Sequence, residues 1–456
     1  MEAEERDIKM LESDVGFDIS EAEKTETMKK IRWRILFFLF FACFFNQLDR
    51  FNVGFAALKM NHSLGFSAEV YGLGVSLFFI SYAIFEIPSN IILHRTSARV
   101  GLARIMIAWG CVAIITAFIR GEKSFYTVRF LLGAVEAGFT PGFIYYINRW
   151  LPARYKGLGI STVAVAIPLC VIFGAPISGY ILRYVNFFGL EGWRWTFILE
   201  GVPSVILGIL ALWVLTERPE QAKWLTDRQR KWLTAEVANE VSSRSKFNEA
   251  QGKEIWKNKN IIVLTAVFFL ASMGTYGIFY WTPLIIKQLS GMGVVEVGFL
   301  TTLPFIGLAF GIYFNPKHSD KTQERHFHYA IPIVIGGLGL FLAASTSNPW
   351  VSILGLLICA TGIGSAVGVF WLIPMNLLTG MSAAVGLAFI NMLGNCAGFF
   401  SPFIVGFVRT HTGSFSMGLY ILGGFMILSA PLIFITRRAM NEASEASVPT
   451  GSETLF

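Results

Sequence analysis

Charge is scarce in this chain. Of 456 residues only 15% are Asp, Glu, Lys or Arg, against about a quarter in soluble domains. A water-facing surface cannot be built from so few, which excludes an ordinary soluble fold. The five cysteines (43, 111, 170, 359 and 396) form no CxxC pair and all fall in apolar runs. They read as small packing residues rather than as disulfide or metal chemistry. His326 and His328 stand near Asp320 but have no third ligand at a useful spacing, so a solvated loop explains them better than a metal site. No GxxxxGK[ST] loop is present, which argues against ATP-driven work by this chain. No nucleophile–base constellation stands out, so an enzyme is not expected, nor a cofactor. The beginning MEAEERDIKMLESD is acidic where a cleavable signal would need a basic stretch.

What is present is apolar length. The chain is 54% hydrophobic, with 42 Phe and 44 Gly, a composition suited to helices that face lipid on one side and pack closely on the other. Runs long enough to cross about 30 Å of hydrocarbon lie near 33–57, 69–92, 103–120, 125–147, 158–184, 196–216, 261–287, 297–315, 328–346, 349–378, 383–409 and 414–436. The expected fold is all-α and integral to the membrane, with twelve spans in two six-helix halves. The spans divide into residues 29–216 and 261–438, between a disordered tail (1–28), a polar linker (217–260) and a second tail (439–456). Within the linker, WLTDRQRKWLTAEVANEV reads as an amphipathic helix with Thr226 or Asp227 as its cap. An offset of 229 residues sets Gly133 on Gly362 and Gly157 on Gly386, as two related halves would.

The net charge of +7 would suit a nucleic-acid partner, but Lys and Arg gather in alternate loops. That is a topology signal and places both termini in the cytoplasm. The loop LLTGMSAAV, without a basic residue, dissents.

Within the spans, charge is conspicuous for being there at all. The first holds Asp49 and Arg50 side by side in FNQLDRFNVGF; the fourth holds Arg129 and Glu136, seven residues or two turns apart, in RFLLGAVEAGFTPG. Each costs roughly 2.5–3.5 kcal/mol at the bilayer centre, so four unpaired would cost about 10 kcal/mol. They must face a cavity or one another, and Asp49 with Arg50 and Arg129 with Glu136 can neutralise across the helix pair. A buried network that only locks two helices is the plainer reading, though apolar residues do that as well or better. The functional reading makes Asp49 and Glu136 acids that gain and lose protons, beside guanidinium groups that keep their charge and offer a planar fork to an anion.

LDRFNVGFAAL, FFISYAIFEIPSN, ARIMIAWG, RFLLGAVEAGFTPG, GWRWTFILEG and SDKTQER together resemble the anion:cation symporters of the major facilitator superfamily, nearest to bacterial permeases for tartrate, phthalate, hydroxyphenylacetate and sugar acids. The resemblance implies that Asp49 and Glu136 couple protons, that Arg50 and Tyr82 contact substrate, and that Arg129 pairs with the fourth-span acid. It also implies that Asn391 and Asn395 in INMLGN hydrogen-bond substrate and that Trp371 in FWLIP faces the same cavity. Tyr276, Tyr280 and Trp281 lie near one face of the seventh span, and Tyr280 is a further candidate for substrate contact. Two departures count. The loop SNIILHRTSARVG lacks the usual Asp of the cytoplasmic motif, whereas the second copy keeps Asp320, Lys321, Glu324 and Arg325. The fifth span, STVAVAIPLCVIFG, offers no glutamine for a hydroxylated substrate and points to an aromatic or less polar acid. GAPISG in the same span resembles an antiporter pattern but reads first as bending and packing.

The expectation is a proton-coupled importer of an organic carboxylate in the inner membrane, working as a monomer with protons, a small organic anion and lipid as its partners. Its rivals are a proton-independent exchanger or facilitator and a non-transporting membrane sensor.

Overall fold

The computed structural model describes residues 19–244, 258–377 and 380–437. Among them are twelve helical segments long and apolar enough to cross a membrane. The first runs from Glu21 to Leu64 and the twelfth from Ser416 to Thr436. The even number puts both ends of the chain at one end of the bundle, here called the terminal end.

The first helix begins earlier than the apolar run does. Residues 21–28, expected in the disordered tail, are helical, because Ser20 and Glu23 form a reciprocal capping box and Glu21 and Glu23 sit on the helix N-terminus. Residues 1–18 and 438–456 lie outside the described residues. The linker helix spans Asp227–Arg244. Thr226 is its cap: the hydroxyl accepts the Gln229 N–H at 3.3 Å while the Gln229 side chain accepts the Thr226 N–H. Its Gln229, Trp232 and Leu233 are buried, and Lys30 of the first helix reaches Gln229 at 3.2 Å.

Four spans are broken in mid-course. The fourth stops at Glu136 and restarts at Phe139; Gly138 between them has φ +92°, a left-handed conformation that favours glycine. The fifth breaks at Val165, the tenth at Trp371 and the eleventh at Cys396. Breaks in corresponding spans of each half are a mark of transporters whose site lies mid-membrane. They also correct the internal register. Gly133 lies against the Phe78 carbonyl of the second span and Gly364, not Gly362, against the Leu308 carbonyl of the eighth. Gly133 and Gly364, like Val165 and Cys396, stand 231 residues apart.

The halves meet tightly at the end away from the termini. A Cβ on Gly72 would come 2.6 Å from the Pro402 carbonyl, and one on Gly406 2.5 Å from that of Ala68, so the second and eleventh spans touch backbone to backbone. The Tyr71 hydroxyl donates to the Tyr280 carbonyl at 3.0 Å. Toward the terminal end the same second span changes character. Tyr71–Tyr82 is mostly buried, whereas residues 83–92 are half-buried or exposed on every side, Ile84, Phe85, Ile87, Ile91 and Ile92 among them. The exposed residues share one face, and the opposite face is only half-buried where close packing would bury it, so this stretch borders a gap between the halves.

Candidate functional site

Where the closed end meets the gap lies a cavity of about 180 Å³, the volume of roughly six water molecules. The amino-terminal half supplies Gln47, Arg50, Phe51, Phe79 and Ile167; the carboxy-terminal half supplies Phe268, Ser272, Thr275, Tyr276, Phe279, Tyr280, Val367 and Asn395. Phe51 stacks on Phe279 at 4.3 Å, and Phe79 meets Tyr276 edge-on at 4.7 Å, so ring pairs join the two halves along the cavity wall. The wall is aromatic and its only ionised member is Arg50. The contribution of the fifth span is apolar, in keeping with its missing glutamine.

The ion pairing differs from the expected one. Arg50 pairs with Glu136, Nε to Oε1, across the first and fourth spans, not with its neighbour Asp49. Consecutive residues on a helix point about 100° apart, so Asp49 and Arg50 face different surroundings. The Arg50 guanidinium lies over the rings of Tyr82 at 4.8 Å and Phe78 at 5.4 Å, and its Nη2 has no hydrogen-bond partner. Arg129, expected to hold Glu136, makes no side-chain hydrogen bond. It is buried, 5.1 Å from the Phe78 ring, within electrostatic reach of Glu136, Asp49, Tyr71 and Tyr280. Asp49 accepts a 3.4 Å bond from Asn52 and leaves Oδ2 without a partner.

Neither carboxylate lines the cavity. Asp49 is 1% exposed and Glu136 0%; Arg50 stands between Glu136 and the open space. The helix stops at Glu136 itself, so the acid sits at the turn where the fourth span changes direction.

The remaining candidates divide. Tyr280 lines the cavity with its hydroxyl unpartnered. Asn395 lines it and accepts the Tyr276 hydroxyl at 2.8 Å. Tyr82 is buried beside Arg50. Asn391, one turn from Asn395, is half-buried outside the lining. Trp371 packs at 4.9 Å on Phe268, behind the cavity wall rather than in it. Trp281 is turned away, against Tyr71 and Phe415.

Sequence reasoning missed Gln47, Ser272 and Thr275, which carry no signal in an apolar run, and Tyr276 as the partner of Asn395. It also passed over Glu200, 4% exposed in the sixth span. The insertion cost that singled out Asp49 applies to the Glu in FILEGVP just as well.

Outside the membrane the two cytoplasmic motifs behave differently. In the first, Glu217 replaces the missing Asp: it accepts the Ala98 and Arg99 N–H groups at 3.0 Å and pairs with Arg149 at 3.3 Å. In the second, Asp320 pairs with Arg325 at 2.7 Å. His326 and His328 diverge, the one toward Thr436 and the other toward His318 and Glu324. No group of three or more metal-ligating side chains occurs among the described residues.

Comparison with known proteins agrees with this architecture. Residues 39–402 match the Major Facilitator Superfamily. The chain is 40% identical over 422 residues, 92% of its length and 94% of the other's, to the "Putative tartrate transporter" of Agrobacterium vitis. It is 34% identical over 388 residues to the "Quinolone resistance transporter" of Acinetobacter baumannii, covering 85% of this chain and 89% of that one. The crystal structure of a D-xylose-proton symporter superposes with a TM-score of 0.69 at 15% identity, over 88% of this chain and 97% of that one, a likeness of fold. The chain therefore belongs to the major facilitator superfamily and is a multi-pass membrane transporter, not an enzyme.

Proposed function

We propose that this transporter is a proton-coupled symporter that imports a small organic carboxylate by alternating access, with both termini in the cytoplasm of the inner membrane. The observation that carries the reading is the Arg50–Glu136 pair at the edge of the cavity. Arg50 lines the space, its Nε is held by a buried acid, and its buried Nη2 has no partner. While Glu136 is ionised, its own charge satisfies the guanidinium and an anion gains little by binding. Once Glu136 takes a proton, Arg50 is left as an uncompensated buried cation, which a substrate carboxylate stabilises through a charge-assisted fork. Proton and anion thus favour each other.

Asp49 and Arg129 form a second acid–cation couple deeper in the same half, joined by no hydrogen bond and so free to change its balance as the halves rock. Tyr280, Asn395 and Tyr276 hold the polar end of the substrate opposite Arg50. The aromatic walls favour a flat or weakly hydroxylated acid. With the termini inside, the closed seam faces outward and the gap inward, so the described conformation is the inward-facing one. The carrier works as a monomer, each chain holding one cavity between its own halves.

The test is uptake into proteoliposomes under an imposed pH gradient, after a thermal-shift screen of the purified protein against aromatic, hydroxy and sugar acids has named a ligand. Gradient-driven accumulation supports symport. Flux that ignores the gradient points to the exchanger, and ligand binding without flux to the sensor.

A further inference from the structure

A larger cavity lies outside the transport path. It holds about 630 Å³, against about 180 Å³ between the halves. One wall is the first helix, through Lys30, Trp33, Arg34, Phe37, Phe38 and Phe41. These positions recur at i, i+3, i+4, i+7, i+8 and i+11, a single helical stripe. The turn Arg32–Leu36 within it is π-helical, the Phe37 N–H reaching back to the Arg32 carbonyl, a bulge often found at functional sites. Leu207 and Val214 of the sixth span form the facing wall, and Trp224 of the linker closes one end. All the walls thus belong to the amino-terminal half and the start of the linker. Trp33, Phe37 and Phe41 are exposed, so the groove opens sideways, where the bilayer would lie.

Its length fits one leaflet. Eleven residues separate Lys30 from Phe41, a rise of about 16 Å, and half of a hydrocarbon core is about 15 Å. A spanning helix of a partner would need twice that depth, whereas a single acyl chain would not.

Its two ends differ in chemistry. Toward Phe41 the lining is apolar. At the other end the Arg34 Nε donates at 3.3 Å to the carbonyl of Val214, the last residue of the sixth helix. The guanidinium lies 5.5 Å from the Trp224 ring. Trp224 is itself fixed, stacked on Trp150 at 5.5 Å and donating to the Thr216 hydroxyl at 3.2 Å. The carbonyl takes one of five guanidinium N–H groups, and Arg34 remains exposed. Lys30 is shared with Glu26 at 2.7 Å and Gln229 at 3.2 Å. Lys29 and Arg32, on neighbouring faces, are exposed. An apolar slot one leaflet deep, with a held guanidinium at its polar end, is complementary to an anionic amphiphile.

We propose that this groove binds one anionic phospholipid of the leaflet at the terminal end, its phosphate on Arg34 and Lys30 and one acyl chain along Phe37, Phe41 and Leu207. Seated there, the lipid joins the first helix to the sixth span and the linker. The proposal does not rest on symport and can fail separately from it.

The test is native mass spectrometry of the full chain in neutral detergent, offered phosphatidylglycerol and phosphatidylcholine with the same acyl chains at equal concentration. Expected is one phosphatidylglycerol retained in preference. A basic side chain near a membrane surface favours an anionic lipid about fivefold. Arg34→Gln should lower the preference by that factor, and Lys30→Gln by less, because Glu26 already shares its charge. Leu207→Trp, which fills the slot and keeps both cations, should lose the retained lipid. Equal retention of the two lipids, or a preference that survives in the Lys30→Gln, Arg34→Gln double variant or in Leu207→Trp, overturns the proposal. So does thermal protection by inorganic phosphate equal to that by phosphatidylglycerol, since a free anion would then suffice. Thermal unfolding of each variant without lipid separates loss of the site from loss of the fold.

Discussion

The two halves share one architecture, and yet the amino-terminal half carries Asp49, Arg50, Arg129, Glu136 and Glu200 within its spans. The carboxy-terminal half faces the same cavity with Ser272, Thr275, Tyr276, Tyr280 and Asn395, all uncharged. Among the described residues its buried Asp, Glu, Lys, Arg or His side chains are Arg325 and His326, which lie at the terminal end. Halves related by repetition need not share their chemistry. The first holds acids and fixed cations; the second offers shape and neutral hydrogen bonds. Substitutions in the first half should accordingly alter energy coupling, and those in the second, affinity.

The largest effect is expected from Asp49→Asn. A charge crossing 100 mV carries about 2.3 kcal/mol, so removing one coupled proton lowers the accumulation ratio by about fiftyfold at that potential. Accumulation at the parental level in potential-clamped vesicles would erase the division between the halves. Next comes Glu136→Gln, which keeps the shape of the Arg50 partner but fixes it neutral: counterflow persists and uphill uptake is lost. If both persist, Glu136 serves only to hold Arg50. A smaller effect is expected across the cavity. Asn395→Ala removes a neutral hydrogen-bonding group worth about 1 kcal/mol, weakening substrate affinity about fivefold with an unchanged pH profile. A displaced profile would show that the second half shares in coupling after all.

The smallest lies outside both. Partial burial raises the Glu324 carboxyl, but the Phe327 and His328 N–H groups and the His328 ring outweigh it and hold Glu324 below its ordinary value. A carboxyl so lowered stabilises the fold above its unfolded value, and that contribution disappears as pH falls through the folded one. Glu324→Gln should therefore lower the melting temperature slightly at neutral pH, by the equivalent of about 0.5 kcal/mol, the low end for a helix cap. The difference from the parent should vanish in acid. Calorimetry across that range would check it, and transport should be untouched.

The spans could be read from the chain because hydropathy is local: each helix must satisfy its own backbone in lipid whatever its neighbours are. The presence of Asp49, Arg50, Arg129 and Glu136 was legible for the same reason. Their pairing was not. Sequence adjacency suggested Asp49 with Arg50, but the 100° step between consecutive residues sends them apart, and only the packing of the first span on the fourth selects Glu136. Asn395 was reached only through the family resemblance of INMLGN, and its Tyr276 partner lies 119 residues away. Glu200 was legible by the same insertion cost and was passed over, GWRWTFILEG serving only as part of the family resemblance. The register of the halves was two residues out because glycines are too common here for a single coincidence to fix it, whereas the helix breaks at Val165 and Cys396 are structural landmarks.

Arg50 sits as a stopper over Glu136. A hydronium arriving at an empty carrier would meet a fixed positive group before it met the acid, and would be repelled. Under the symport proposed above, such a carrier is tight when idle, and a membrane can hold many copies of it without being short-circuited.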